Sequence, residues 1–438
     1  MRWFFPKESP RIPVDPLPRK STRKKRKIMK RKSMSAVFLA GLLAAGSILL
    51  SSCCSACPEK PSEVVQCEKV IKGYADRNCF SGACAMVVGK NGIQRSAYGG
   101  KADLETGRPF TPDTLFQLAS ITKPFTAVAF MQLVDAGKVK LDDPVSKYLP
   151  YLKDLKVVRK QTKDEVVLGK PQTVLTIRHL LSNTGGMRFL ARIQGGDLTR
   201  VPLSVAVLSL ADLPLRCEPG SRFIYADSHF NVLAHIIEKI SGMRLSEYMQ
   251  KNLFDPMGMK DTTFFPDKDQ LRRMAVMYAA DKTKTGLVKS QFALMDRPLD
   301  APGRYEEAGA GLFSTPQDMA RFAEMLLNEG NFRGKQIISK EAFRQLSSVQ
   351  TPKTETKHPY GFGFHVRPNC IFHGGAGGSD LKIYKDKPFA FLWFTQQYFC
   401  KYANDGANAE AEAEKILLGS GVCEESNGER IDRTGVKK

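Results

Sequence analysis

Ser120-Ile121-Thr122-Lys123 sets a hydroxyl and an amine three residues apart at the head of an apolar run. On a helix, positions i and i+3 share a face, so the two groups can meet. A serine hydroxyl is a weak nucleophile until a neighbour takes its proton. A lysine can take it once burial or nearby cations pull its pKa toward neutrality. A helix N-terminus at the same place adds backbone N–H groups and a positive dipole end. The chemistry open to such a pair is attack on an ester or amide carbonyl. By itself the spacing is a weak signal, because a capping serine followed by a solvated lysine reads the same way.

The flanking residues sharpen it. Leu115-Phe-Gln-Leu-Ala-Ser-Ile-Thr-Lys-Pro-Phe-Thr126 resembles the nucleophile segment of the serine beta-lactamase and penicillin-binding-protein-like family, in particular the hydrolases related to class C beta-lactamases. Five further segments are similar to that family in its own order: Tyr98 to Gly107, Thr176 to Gly186, Pro219-Gly-Ser-Arg-Phe-Ile-Tyr-Ala-Asp227, Ala310 to Phe322, and His373-Gly374-Gly375. The resemblance runs from about residue 67 to 418, and six ordered matches are far more specific than any one.

Carried over by position, the resemblance implies Ser120 as the acylated nucleophile, Lys123 as its base partner and Tyr225 as a second proton relay. Nearby cationic charge would have to favour the Tyr225 anion for it to act as a base, because a phenol ordinarily titrates near pH ~10. His373, Gly374 and Gly375 would line the opposite wall of the site on a sheet-edge strand, where small residues admit the substrate backbone. The N–H groups of Ser120 and Ala376 would form the oxyanion hole. No cofactor is implied. Lys284-Thr285-Gly286 is a literal form of the family's third motif, but it precedes the 310–322 match and sits in a polar stretch, so His373 takes that place.

Two departures bear on substrate. Asp227 stands where class C beta-lactamases carry Asn, and an ionised Asp near Lys123 would raise the lysine's pKa unless it points elsewhere. Gly374 replaces a threonine hydroxyl and His373 a permanent cation, which resembles the esterase and peptidase branches more than the dedicated beta-lactamases. A beta-lactam, a D-amino-acid peptide and a small ester all stay open. Asp227 also sustains a different reading, a catalytically silent envelope lipoprotein that binds cell-wall peptide. His179, His229, His235, His358 and His365 show no metal-ligand spacing, and Gly374 to Gly378 lacks the Lys-Ser/Thr ending of a phosphate loop.

The elements that must position these residues can be read in outline. Two strand-like runs, Gly82 to Val88 and Ile93 to Tyr98, flank an Asn91-Gly92 turn and predict a hairpin. Pro124 to Gly137 reads as a helix with Pro in its first turn and Gly at its stop. Residues 140–300 are mostly helical by period, interrupted by polar stretches at 155–173 and 279–307. A helix at 316–328 precedes short apolar runs at 360–366, 381–384 and 389–394, and 408–418 closes with a helix. Strands at both ends and helices between them predict an α/β (α+β) fold whose ends share one sheet. The resemblance implies the same: a central antiparallel sheet flanked by helices (about 67–135 and 310–418) with a mostly helical insert (about 140–300). Specificity is expected in the segments 155–173, 187–216 and 279–307.

The 438-residue chain is 42% hydrophobic and 25% charged, which excludes pervasive disorder and a multi-span membrane protein. Residues 1–33 hold thirteen Lys/Arg against Glu8 and Asp15, so +11 of the net +21 belongs to a leader and +10 to the other 405 residues. That distribution argues against a nucleic-acid partner. Lys30-Arg31-Lys32 precedes an uncharged run over 34–52, the pattern of a secretory signal, and translation from Met29 would leave residues 1–28 unread. Leu50-Ser51-Ser52-Cys53 resembles a bacterial lipobox. It implies a mature chain that starts at lipidated Cys53, a tether over 53–66, and anchoring of an exported protein at the cell-envelope membrane. Ten cysteines suit export; with Cys53 acylated, at least one of the other nine stays unpaired within the chain. Residues 419–438 form a polar tail.

Overall fold

The computed structural model describes residues 60–189, 201–291, 299, 304–354, 357–398 and 408–419. The leader, the apolar run, Cys53 and the tail beyond 419 lie outside the described residues. So do parts of the segments 187–216 and 279–307.

Six antiparallel strands form the main sheet: β1 Gly82–Gly89, β2 Gly92–Gly100, β3 His365–Val366, β4 Cys370–Gly374, β5 Asp380–Tyr384 and β6 Phe389–Phe394, in the spatial order β3-β4-β5-β6-β1-β2. The C-terminal strands join the N-terminal hairpin where β6 pairs with β1, Met86 opposite Leu392. β1 is buried along its whole length, as a central strand covered on both faces must be. Alternation then divides its side chains: Cys84, Met86 and Val88 enter the larger core, while Ala83, Ala85 and Val87 enter the smaller one with Phe391 and Trp393.

Five helices of the fold matter here: α1 Ser62–Asp76, α2 Thr122–Asp135, α3 Asp227–Ser241, α4 Pro316–Leu327 and α5 Ala409–Leu418. α1 and α5 cover the smaller core, where Trp393 meets Phe80 edge-on at 5.9 Å. α2 and α4 lie in the larger core, with Phe125 stacked on Phe322 at 3.8 Å between ring centres. α2 is buried on nearly every side, and α3 packs against it. A helix apolar all round belongs in a protein interior.

Three local expectations are corrected. α1 starts at Ser62, so the end of the presumed 53–66 tether is its first turn. Val64, Cys67 and Ile71 fall on one buried face there. α2 begins two residues before Pro124 and so includes Lys123. The two polar stretches each hold a hairpin, Val157–Gln161 with Val166–Gly169 and Tyr278–Ala280 with Leu287–Lys289. β-branched runs explain the first of these. Lys284-Thr285-Gly286 lies in the turn of the second, hydrogen-bonded within it through Thr285 and Asp281. Cys67, Cys84 and Cys217 are buried free thiols, and Cys79 and Cys370 are buried as well.

Candidate active site

The chain reaches Ser120 through a short strand, Phe116–Gln117, paired with Phe313–Ser314, and Leu118 N–H donates to the Leu312 carbonyl at 2.9 Å. A single turn over Ala119–Ile121 then leads into α2. Ser120 is therefore in the turn before the α-helix rather than on it. Ala119 takes φ 47°, a left-handed conformation that costs an L-residue about 1 kcal/mol. The end of β4 presses on this turn: a Cβ at Gly375 would sit 2.4 Å from the Leu118 carbonyl oxygen. Ala376 packs with Met277 against Ala119. The end of β4, a strand paired on both sides rather than the expected sheet-edge strand, is thus held in contact with the serine turn, and only glycine fits at the closest point.

Lys123 is fully buried. Its Nζ donates to Ser120 Oγ at 3.3 Å, to the Gly309 carbonyl at 2.9 Å and to Asp227 Oδ1 at 2.5 Å. Asp227, the first residue of α3, therefore points at the lysine and not away from it. Burial pulls the Lys123 ammonium below its ordinary range, and the negative charges of Asp227 and Glu307 work against that pull without overcoming it.

Tyr225 comes from the segment just before α3. Its phenol is within hydrogen-bonding reach of Ser120, and its ring lies 4.4 Å from Lys123 Nζ. Burial and the Asp227 charge push the phenol well above its ordinary range, while the Ser120 hydrogen bond pulls it back only in part. Cationic surroundings that would favour a phenolate are outweighed here. Tyr225 is a neutral phenol at pH 7, suited to passing a proton along rather than to abstracting one unaided. Asn183, at φ 56°, anchors the segment: its carbonyl accepts Ile224 N–H at 2.7 Å and its Oδ1 accepts Ala226 N–H at 3.1 Å.

β4 supplies the facing wall. The His373 ring is 6.1 Å from that of Tyr225 and 5.4 Å from that of His365, and its Nδ1 meets the Gly374 carbonyl at 2.9 Å. Phe223 stacks on His358 at 5.4 Å and lies 6.3 Å from Tyr225. Burial first, then His358, Arg367 and Lys123, push the His365 imidazole down to about 3, so this part of the wall is neutral.

The structure brings Ser120, Lys123, Tyr225, Asp227 and His373 together, with Gly374, Gly375 and Ala376 following on β4 and its turn. Sequence reasoning missed Phe223, His358 and His365 as wall residues, Asn183 as the anchor of the tyrosine, and Glu307 behind the lysine. Asn183 and Phe223 do lie inside matched segments. Glu307 immediately precedes Ala308-Gly309-Ala310-Gly311, and an acidic residue there carries no recognisable pattern.

A hydroxyl between a buried amine and a phenol, beside the glycine-lined end of β4, is an arrangement for acyl transfer. Comparisons with known proteins agree. Protein Rv1367c of Mycobacterium tuberculosis is 31% identical over 297 residues, spanning 66% of this chain and 73% of its own. Esterase EstB of Burkholderia gladioli is 29% identical over 308 residues, 65% of this chain and 74% of its own. The solved structure of EstCE1, a hydrolase with promiscuous acyltransferase activity, superposes with a TM-score of 0.67 at 21% identity, covering 82% of this chain and 99% of that one, which supports the fold. The beta-lactamase family model matches residues 67–415, and the chain belongs to that family.

Proposed function

We propose that the chain is a serine hydrolase that cleaves a small carboxylic ester through an acyl-enzyme at Ser120. The observation that carries this reading is the contact of Lys123 Nζ with Ser120 Oγ at 3.3 Å, with Tyr225 on the same hydroxyl. As Ser120 Oγ bonds to the carbonyl carbon, its proton passes to Lys123. The Ser120 and Ala376 N–H groups stabilise the oxyanion, which exists only at the tetrahedral stage. The ester C–O bond then breaks, and Tyr225 relays the proton to the departing alkoxide. Water repeats the sequence on the acyl-enzyme, releasing the acid and restoring the serine. The wall favours an ester over a beta-lactam, because Gly374 offers no hydroxyl and neutral His365 offers no cation to a substrate carboxylate. The esterase name of the Burkholderia relative points the same way.

The test uses a fluorophosphonate probe and p-nitrophenyl acetate. Wild-type protein is expected to be labelled on Ser120 and to hydrolyse the ester, and Ser120→Ala to lose both with its fold intact. One observation favours the second reading, a silent binder of cell-wall peptide: the 2.5 Å contact of Lys123 with Asp227, which helps hold the lysine protonated. A folded wild-type protein that resists the probe would select it. From the lipobox-like Leu50-Ser51-Ser52-Cys53 we also propose that the chain is lipid-anchored at the envelope membrane under either reading; metabolic labelling with a fatty-acid analogue, lost in Cys53→Ala, tests that.

A further inference from the structure

Behind Lys123 lies a second buried carboxylate that the acyl-transfer scheme does not use. Glu307 is 3% exposed. Its Oε2 accepts from Asn231 Nδ2 and from the Tyr305 hydroxyl, both at 2.9 Å, and its Oε1 accepts from Gly309 N–H at 3.2 Å. Asn231 Oδ1 in turn accepts Ala308 N–H at 3.0 Å. The turn 307–309 is therefore clamped to α3 by side chains. That turn hands two carbonyls to α2: Gly309 O accepts from Lys123 Nζ at 2.9 Å, and Ala308 O from Thr126 Oγ1 at 2.8 Å. A Cβ at Gly309 would fall 2.7 Å from Asp227 Oδ1, so the turn runs directly against the Lys123–Asp227 pair.

The groups facing Glu307 are Asp227 and Asn231 from α3, Lys123 from α2, and Tyr305 from its own segment. Charges of both signs are close in a site shielded from water, so each protonation state depends on the others. A negative Glu307 favours the Lys123 ammonium. Burial and the Asp227 charge oppose that negative form, while the Asn231, Tyr305 and Gly309 donors support it. The balance leaves the carboxyl pushed up to about 7.

We propose that Glu307 is a positioning residue for the base: it holds the Gly309 carbonyl on Lys123 and supplies the third charge of a buried Lys123–Asp227–Glu307 cluster that sets the pH at which Lys123 accepts the Ser120 proton. This rests on the serine-hydrolase reading above.

The test is the pH dependence of fluorophosphonate labelling of Ser120 between pH 5 and 9, with circular dichroism melts as the check on folding. Glu307→Gln keeps the shape and removes the charge. Above about pH 7, where Glu307 is ionised, Lys123 then loses a partner that favours its ammonium, so the part of the acid limb lying there should move down by about half a pH unit or more, with the alkaline plateau within a few-fold of wild type. Tyr305→Phe removes one donor that supports the Glu307 anion and should move the limb the same way by less. A limb that stays in place in folded Glu307→Gln overturns the proposal, whatever happens to the plateau, because a merely structural role changes amplitude and not the limb. If Glu307→Gln does not fold, Tyr305→Phe decides by the same criterion. Wild-type protein that takes no label at any pH sinks the hydrolase reading and this inference with it. A labelled wild type with an unmoved limb sinks the inference alone.

Discussion

Lys123 and Asp227 meet at 2.5 Å with both side chains shut off from water, one on the helix that follows the serine and the other at the head of the helix packed beside it. Removing ions from water costs several kcal/mol each, and a buried pair recovers that only with good geometry and further hydrogen bonds. Lys123 has them, from Ser120 and Gly309. Burial and pairing pull its protonation in opposite directions, and burial wins.

Asp227→Asn should therefore make Lys123 a readier base. The amide keeps an oxygen toward Nζ but loses the charge that favours the ammonium, so the acid limb of the kcat/KM profile should shift to lower pH and the rate at pH 6 should rise. Asp227→Ala should behave differently, because it leaves a buried ammonium without its partner and should cost about 3 kcal/mol of stability. Ester hydrolysis against pH and urea unfolding of the two variants separate these effects. An unmoved limb in folded Asp227→Asn would show that the aspartate does not govern the lysine.

Tyr225→Phe tests the relay. The aromatic ring beside Phe189 and over Lys123 survives, so folding should be unchanged. Only the hydroxyl shared with Ser120 is lost, and general acid–base groups of this kind contribute about 10²–10⁴-fold. A drop of that size in kcat with KM nearly constant is expected. A loss below threefold would remove Tyr225 from the proton path.

The site was legible in the sequence where chemistry requires adjacency along the chain. Ser120 and Lys123 meet because three residues make one turn, and Asn91-Gly92 between two apolar runs made a hairpin. The buried helix also showed itself, though its start was placed late because Pro124 marks a first turn without saying which residue of it. What stayed hidden depends on contacts far apart in sequence. Asp227 could have faced either way, and its direction is set by α3 packing on α2. Glu307 reaches the lysine across 184 positions, through a turn whose side-chain clamps on α3 have no local signature. The hairpin at 157–169 is hidden inside a polar stretch because Val157-Val158 and Val166-Val167-Leu168 are short runs among charged residues, most of them exposed.

Gly375→Ala should damage the active site without unfolding the protein. The added methyl would overlap the Leu118 carbonyl oxygen at 2.4 Å, so β4 or the serine turn must move. Moving either one separates Ala376 N–H from Ser120, and losing an oxyanion donor costs about 10²–10³ in kcat. The thermal midpoint should fall by only a few degrees, since the overlap lies just past the end of β4. Hydrolysis rates and a melt of one sample check both parts, and near-normal kcat would mean that β4 does not build the oxyanion site.

Acid sensitivity should begin just below pH 6.5, because of His229. Its Nε2 accepts Met187 N–H at 3.3 Å and its Nδ1 faces Asn183 Oδ1 at 2.9 Å, so the neutral ring with the proton on Nδ1 fits and the imidazolium does not. Burial, with Lys123 and His179 adding to it, holds the folded pKa down to about 3. The unfolded chain binds this proton below about 6.5, so the stability His229 confers is complete above that pH and is lost as pH falls toward 3. The slope approaches ~1.4 kcal/mol per pH unit for one such group. Glu307 acts with the opposite sign: its raised pKa makes the folded state bind a proton between about 4.5 and 7, which favours folding on acidification. The total curve therefore mixes the two, and the informative quantity is the difference between variants. His229→Gln should be less stable than wild type at pH 7.5 and should lose less between pH 6.5 and 4.5 in urea titrations. Parallel losses for the two proteins would show that the imidazole is not what acid attacks first.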